Sequence, residues 1–271
     1  MTELTLKEIQ ERELNLLKHF DNLCKANGFR YSLGGGSLLG AVRHKGFIPW
    51  DDDIDVMMPR PDYDAFLSLC ASSDFPFELI SYETRKGYRG LFVKLSDPKT
   101  YIVDSVIESD FEIGINIDIF PIDGLGGSRE EALSLFNKTK FDRELLNASG
   151  WKKFSRSKTH GLIYEPIRLA FFLASRFANR ESLIKKIEKR NKATLFETSS
   201  FAGCVCGAYR EKEIMPQKTF TEYIELPFED TTFMAISDYD SYLKAHYGDY
   251  MQLPPEKKRV THHTYKAFLK E

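Results

Sequence analysis

The chain has 271 residues, 42% hydrophobic and 29% charged, with a formal net charge of −2. That length carries a large core in one domain or in a core domain with a smaller partner, and the composition is that of a soluble globular protein. The near-neutral balance argues against wholesale attraction to nucleic acid, so no nucleic-acid partner is expected. Four cysteines, Cys24, Cys70, Cys204 and Cys206, contain no C-x-x-C pair and read as reduced core thiols in a cytoplasmic setting. The opening residues MTELTLKEIQERE are charged and hold no apolar signal region.

In chain order, residues 4–27 place Leu4, Leu6, Ile9, Leu14, Leu17, Phe20 and Leu23 at helical spacing, and Gly28 ends the pattern. Phe29 to Leu33 reads as a short strand running into Gly34-Gly35-Gly36, after which Ser37 can cap a helix over Leu38 to Arg43. Gly46 and Pro49 break the chain, the acidic run Asp51-Asp52-Asp53-Ile54-Asp55 follows, and Ile54 to Met58 reads as a strand stopped by Pro59 and Pro61. A helix is predicted over 62–72, with short strands at 77–82, 90–95 and 101–104. A clearer strand covers Ile115 to Phe120 and is closed by Pro121 and Asp123-Gly124.

Gly126-Gly127-Ser128 reads as a hinge, dividing residues 1–126 from a mostly helical part, 127–271, that closes a cleft. Helices are predicted at 129–148, 162–178 and 181–197, a strand at 219–226, and a helix from Ser237 to Tyr247 ended by Gly248. The 161–178 pattern is the most apolar, but Glu165, Arg168 and Arg176 argue against a spanning helix. It reads as a buried helix, with a membrane-surface face as the alternative. The basic end, with Lys257, Lys258, Arg259, His262, His263, Lys266 and Lys270, reads as a solvated helix face. The fold class expected is α/β, a mixed sheet flanked by helices with the acids on the sheet.

Alternating carboxylates running into an apolar strand repel one another unless something positive sits between them, and a divalent cation is the simplest candidate. In a strand, residues i and i+2 share a face roughly 6.5–7 Å apart, so Asp53 and Asp55 are expected to point one way and Asp52 and Ile54 the other. Asp118, in the middle of Ile117-Asp118-Ile119, is the best third carboxylate, because an unpaired one is costly in that apolar context. An ion pair would also explain it. An EF-hand is a poor fit: its glycine position is Val56, its final Glu position is Asp62, and two prolines intervene.

Gly35, Gly36 and Ser37 open a helix, so free backbone N–H groups and a hydroxyl there can meet phosphate oxygens; a plain turn fits equally. Arg43, His44 and Lys45 can place positive charge near a diphosphate or form a solvated helix end. Lys94 is either a phosphate ligand or a strand lysine that extends its ammonium to water. Trp50, beside the acids, is either a packing residue or part of an aromatic wall for a quaternary ammonium.

The combination says more than its parts. Gly36-Ser37 opening a helix, Asp53-Ile54-Asp55 on a strand and a lone Asp118 on a later strand resemble the polymerase-β-like nucleotidyltransferase superfamily. The segments GGGSLLGAVRHKGFIPWDDDIDV, INIDIFPIDG and YLKAHYGDYMQLPPEKKRVTHH resemble the LicD family within it. That resemblance implies transfer of phosphocholine, or of another alditol phosphate such as glycerol or ribitol phosphate, from a CDP-activated donor to a sugar hydroxyl of a cell-surface glycan. Teichoic acid and lipopolysaccharide precursors are its typical acceptors. It further implies Mg²⁺ or Mn²⁺ held by Asp53, Asp55 and Asp118. A glycan acceptor that is lipid-linked would bring the chain to the inner face of the cell membrane as a peripheral protein. Nucleotidyl transfer to a small molecule or protein is the competing activity, and a glycan- or choline-binding protein without catalysis is the other class.

Overall fold

The computed structural model describes residues 2–72, 75–104, 111–154, 161–261 and 265–270. His262 and His263 of the basic tail lie outside the described residues.

Helix α1 (Leu6–Asn27) starts at a reciprocal cap. The Glu8 N–H donates to the Thr5 hydroxyl and the Thr5 N–H donates to the Glu8 carboxylate. It ends at Gly28, whose φ of 70° suits a residue without a Cβ. Its buried stripe holds Ile9, Leu16, Leu17, Phe20 and Cys24, together with the acid Glu13.

Strand β1 (Ser32–Leu33), helix α2 (Gly35–Arg43), strand β2 (Asp55–Pro59) and helix α3 (Arg60–Ala71) follow, then β3 (Glu78–Ile80), β4 (Val93–Ser96), β5 (Thr100–Asp104) and β6 (Asn116–Gly124). The main sheet runs β1-β2-β6-β4-β3, with β2 and β6 parallel and the other neighbours antiparallel. It is a mixed sheet flanked by helices, as the sequence predicts.

Strand β6 does not stop at Pro121. The Asp118 N–H donates to the Ile54 carbonyl. By alternation the Pro121 nitrogen faces away from β2. There it falls between the stretch paired by β4, which ends at Ile119, and the stretch paired by β7 (Phe201–Gly203), which begins at Asp123. A missing N–H is tolerated where no neighbouring strand asks for it.

The predicted 129–148 helix is two helices, α4 (Arg129–Lys138) and α5 (Lys140–Ser149). The break is at buried Thr139, whose hydroxyl donates back to the Phe136 carbonyl. Helices α6 (Glu165–Ser175) and α7 (Arg180–Asn191) come next. Strand β7 then pairs with β8 (Met215–Pro216), extending the sheet beyond the end of β6. The predicted 219–226 strand begins later, as β9 (Tyr223–Phe228), and forms a hairpin with β10 (Thr231–Ile236). Helix α8 (Tyr239–Tyr247) ends at Gly248 as expected.

Two expectations change. The basic end is not one helix face: Lys257 and Lys258 lie in a single 3-10 turn (Glu256–Lys258), and Lys266 lies on β11 (Tyr265–Leu269), antiparallel to β5. The buried-helix reading of 161–178 is also overturned, because Ser175 is the one buried residue of α6. The main core draws on both sides of residue 126: Leu17, Phe20 and Phe66 pack in one cluster with Phe196, Phe228 and Phe233.

Candidate active site

The site is built where α2 begins and β2 begins. The Gly34 N–H donates to the Asp55 carbonyl at 2.8 Å, and the Asp55 N–H donates to the Ser37 hydroxyl at 2.9 Å. Ser37 therefore sits inside the first turn of α2 and ties the helix to the strand, while Gly34 takes the cap position expected of Ser37. Gly35 has φ +47°, and a Cβ there would lie 2.9 Å from Asp55 Oδ2. On Gly36 it would lie 2.8 Å from Asp51 Oδ2. The glycines let two carboxylates approach the amino end of α2, where the helix dipole favours negative charge.

Asp55 on β2 stands directly opposite Asp118 on β6, and Lys94 on β4 stands opposite Asp118 from the other side. The Lys94 ammonium lies 2.5 Å from Asp118 Oδ1 and 2.9 Å from Asn116 Oδ1. Burial, with the charges of Asp53 and Asp118 added, holds the Asp55 carboxyl well above the usual carboxylate range.

Asp51, Asp52 and Asp53 precede the strand, so strand alternation does not govern them. Contrary to the expected opposed faces of Asp52 and Asp53, one carboxylate oxygen from each of the three acids lies within 4.8 Å of the others. The backbone of this loop is held from outside: Gln10 donates to the Asp51 carbonyl and the Tyr265 hydroxyl donates to the Asp52 carbonyl, each at 2.8 Å. A cavity of about 690 Å³ opens over Asp52, Asp53, Lys94 and Asp118.

Glu13 lines the same cavity and was not anticipated. It is 1% exposed, and its Oε2 has no hydrogen-bond partner among the described residues. Burial pushes its carboxyl well up, and Asp53, Asp52, Asp51 and Asp118 push in the same direction. The available sequence signal is an acid on the apolar stripe of α1, four residues after Ile9 and four before Leu17. A buried carboxylate oxygen without a donor, facing a cluster of acids, is the donor set that a hard divalent cation fits.

Arg43, His44 and Lys45 sit at the far end of α2, about 12 Å along the helix axis from Gly35. Arg43 donates to the Tyr250 carbonyl at 2.7 Å and, through Nε, to His44 Nε2 at 2.9 Å. Burial and the Arg43 charge lower the His44 pKa, so this imidazole is a neutral acceptor rather than a cation. Lys45 is exposed and adopts φ 62°. Trp50 is half-buried, 6.3 Å from the His44 ring, with the Arg259 guanidinium 5.8 Å from its ring centre.

The aromatics beside the acids are instead tyrosines of the second half. The Gly35 N–H points at the Tyr242 hydroxyl, 3.4 Å away. The Tyr247 hydroxyl lies 3.8 Å from where a Gly35 Cβ would stand. Tyr209 meets Tyr247 edge-to-face at 5.3 Å. No local spacing links Tyr209 and Tyr247 to the glycine turn, so the sequence carries no signal for this contact.

A mixed sheet with carboxylates gathered at the amino end of one helix and on two parallel strands is a nucleotidyltransferase-like α/β arrangement. Residues 28–157 match the family described as LicD/FKTN/FKRP, nucleotidyltransferase domain. The chain is 33% identical over 277 residues to the lipopolysaccharide cholinephosphotransferase LicD of Haemophilus influenzae, covering 99% of this chain and 100% of that one. It is 62% identical over 32 residues to the human ribitol 5-phosphate transferase FKRP, which is 12% of this chain and 6% of that one. Mannosyltransferase regulator 4 of Saccharomyces cerevisiae matches at 25% identity over 148 residues, 52% of this chain and 12% of that one. The chain belongs to the LicD family and is a phosphotransferase.

Proposed function

We propose that this protein transfers phosphocholine from CDP-choline to a sugar hydroxyl of a bacterial cell-surface glycan, a teichoic acid or lipopolysaccharide precursor, with Mg²⁺ or Mn²⁺ as cofactor. The observation that carries the reading is the opposition of Asp55 and Asp118 on neighbouring strands, with Asp118, Asp52, Asp53 and the buried Glu13 around one cavity. Choline is favoured over other alcohols because the likeness to the cholinephosphotransferase runs the whole chain, whereas the likeness to the ribitol phosphate transferase covers 32 residues.

Asp53, Asp55 and Asp118 would hold the cation. When bound, it neutralises the donor's diphosphate and the charge that builds on the leaving CMP. Gly35 and Gly36 at the amino end of α2 would lie beside the same diphosphate, where the helix dipole favours negative charge. Lys94 holds Asp118 Oδ1 and leaves Oδ2 either to hold the cation or to take the proton of the acceptor hydroxyl. The new bond joins the acceptor oxygen to the phosphorus next to choline; the bond from that phosphorus to the CMP oxygen breaks. Tyr209 and Tyr247, which meet edge-to-face beside Gly35, would offer a ring face to the trimethylammonium group.

A panel of CDP-choline, CDP-glycerol, CDP-ribitol and CTP, each with Mg²⁺ and a glycan acceptor, tests the reading by CMP release. The expected result is fastest release from CDP-choline and none with EDTA. Transfer of the nucleotide itself to the acceptor would make the chain a nucleotidyltransferase. Faster release from CDP-glycerol or CDP-ribitol would reassign the donor. The reading sets the reaction in the cytoplasm, at the inner membrane face when the acceptor is lipid-linked.

A further inference from the structure

Surface helices normally bury their apolar stripe and turn their polar side to water. Helix α6 and the turn before it do the reverse. Leu162 is 73% exposed, Ile163 80%, Ile167 55%, Leu173 54% and Phe177 92%. From Pro166 to Ala174 every exposed residue is apolar.

The polar residues of this segment are used inward. Arg168 pairs with Glu165 at 3.0 Å and lies 5.0 Å from the Trp151 ring centre. Ser175 is buried, and Arg176 donates to the Ala148 and Ser149 carbonyls at the end of α5. The outward face is therefore not left over from a poor fit to the body of the protein. The half of the helix able to make hydrogen bonds has been committed to the protein, and the apolar half to the outside. Phe141 on α5, 63% exposed and 5.3 Å from the Phe171 ring, widens the patch.

We infer that this face docks in the interfacial layer of an anionic lipid bilayer, with α6 lying in the membrane plane. Among the described residues no helix is long and apolar enough to cross a membrane, so the contact is one of lying on the surface. Charge selects the occupant. Among the described residues from 151 to 180, Lys152, Lys153, Arg168, Arg176 and Arg180 stand against the single acid Glu165, in a chain whose net charge is −2. A basic collar around an apolar face is drawn to anionic headgroups. The same surplus opposes a second copy, which would bring two like-charged faces together.

The position of the face gives it a use. A groove of about 670 Å³ under α6 is lined by Phe141, Trp151, Ile167 and Phe171. It shares Trp151 with a second cavity that reaches Phe92 and Lys94, and these two residues also line the cavity over Asp118. These neighbouring cavities place the acids' cavity toward the α6 side, from which a membrane-anchored glycan would approach. The docking stands on the helix alone; this use of it rests on the transfer reaction proposed above.

The test is flotation of the full-length chain with phosphatidylcholine vesicles and with vesicles containing about one-third phosphatidylglycerol. The expected result is binding to the anionic vesicles, weakened at high salt, and at least tenfold loss of binding in the double variant Ile163→Glu, Phe177→Glu. Both positions are exposed, so CMP release with a soluble acceptor should stay within twofold, which separates failure of docking from failure of the transfer reaction. Three outcomes overturn the inference: no flotation with the anionic vesicles, flotation of the double variant equal to that of the parent, or a parent dimer in solution that the double variant dissociates.

Discussion

The Lys94 ammonium sits 2.5 Å from Asp118 Oδ1, directly across from Asp55 on the far side of the same strand. Lys94 thus brings one of the protein's own cations to the acid cluster. Asp53 and Glu13 line the same cavity as Lys94, and the mutual push of the acids on Glu13 favours a bound cation among them. Replacing Lys94 by Met should lower turnover by about 10²-fold, the scale of losing one charged stabilising group. The Mg²⁺ concentration for half-maximal rate should not rise. Initial rates of CMP release across a Mg²⁺ series check both; unchanged turnover would make Lys94 a strand lysine with no part in the reaction.

Asp53→Asn and Asp118→Asn each remove one carboxylate without changing shape. Turnover is expected to fall by about 10²–10⁴-fold in each. Circular dichroism and Tm should stay near those of the parent. Near-normal CMP release from either variant would refute its assignment.

Glu13 makes a separate prediction about cation binding that needs no turnover. A ligand bound only by the folded state raises stability by RT ln(1 + [L]/Kd), about 2.7 kcal/mol at a hundred times Kd. Adding Mg²⁺ after EDTA treatment should therefore raise the parent's Tm, and Glu13→Gln should shift that response to higher Mg²⁺. Thermal scans over a metal series read it directly. An identical response in the variant would leave Glu13 outside the cation's reach.

The tyrosine wall predicts donor selectivity. Tyr247→Ala should raise KM for CDP-choline by about 3–30-fold, the range of a cation–π contact worth about 0.5–2 kcal/mol, and leave KM for CDP-ribitol nearly unchanged. Trp50→Ala should affect KM for CDP-choline less, because the Arg259 guanidinium already lies 5.8 Å from the Trp50 ring centre. Equal effects of Tyr247→Ala on both donors would remove choline from that wall.

Away from the site, Arg60 at the start of α3 pairs with Asp123 on β6 at 2.6 Å and with Glu188 on α7 at 3.2 Å. Burial raises the Glu188 carboxyl above its ordinary value despite the opposing pull of Arg60. A raised folded pKa contributes stability that is fully present below the unfolded value and is lost as pH rises through the folded one. The Tm of Glu188→Gln relative to the parent should therefore climb as pH rises from 4.5 toward 7. A difference that stays flat over that range would contradict it.

Much of the site's frame is written locally. The glycine turn, the acidic run and the lone Asp118 can each be read over a few residues, because turns, caps and alternation are properties of near neighbours. Asp55 and Asp118 illustrate the limit: their residue types mark them, but only the parallel pairing of β2 with β6 sets them face to face. The side-by-side carboxylates of Asp51, Asp52 and Asp53 were not legible, since the strand starts after them and its alternation does not reach back. Glu13 and Tyr247 were hidden for a different reason: a helical spacing says which residues share a face, never what that face meets.

By itself the sequence determined most of the elements of the site's frame and which residues carry charge into apolar surroundings, since these follow from backbone sterics and the side chains' cost of desolvation. Tertiary packing decided which distant groups converge: α1 brings Glu13 to the cavity of the acids, α8 brings Tyr247 to the glycine turn, and α6 turns its apolar side outward. The physical reason is that burial is a sum over all contacts a face makes. The face of α6 that looked like core from its composition stays outside because its polar side makes the better contacts with α5 and Trp151.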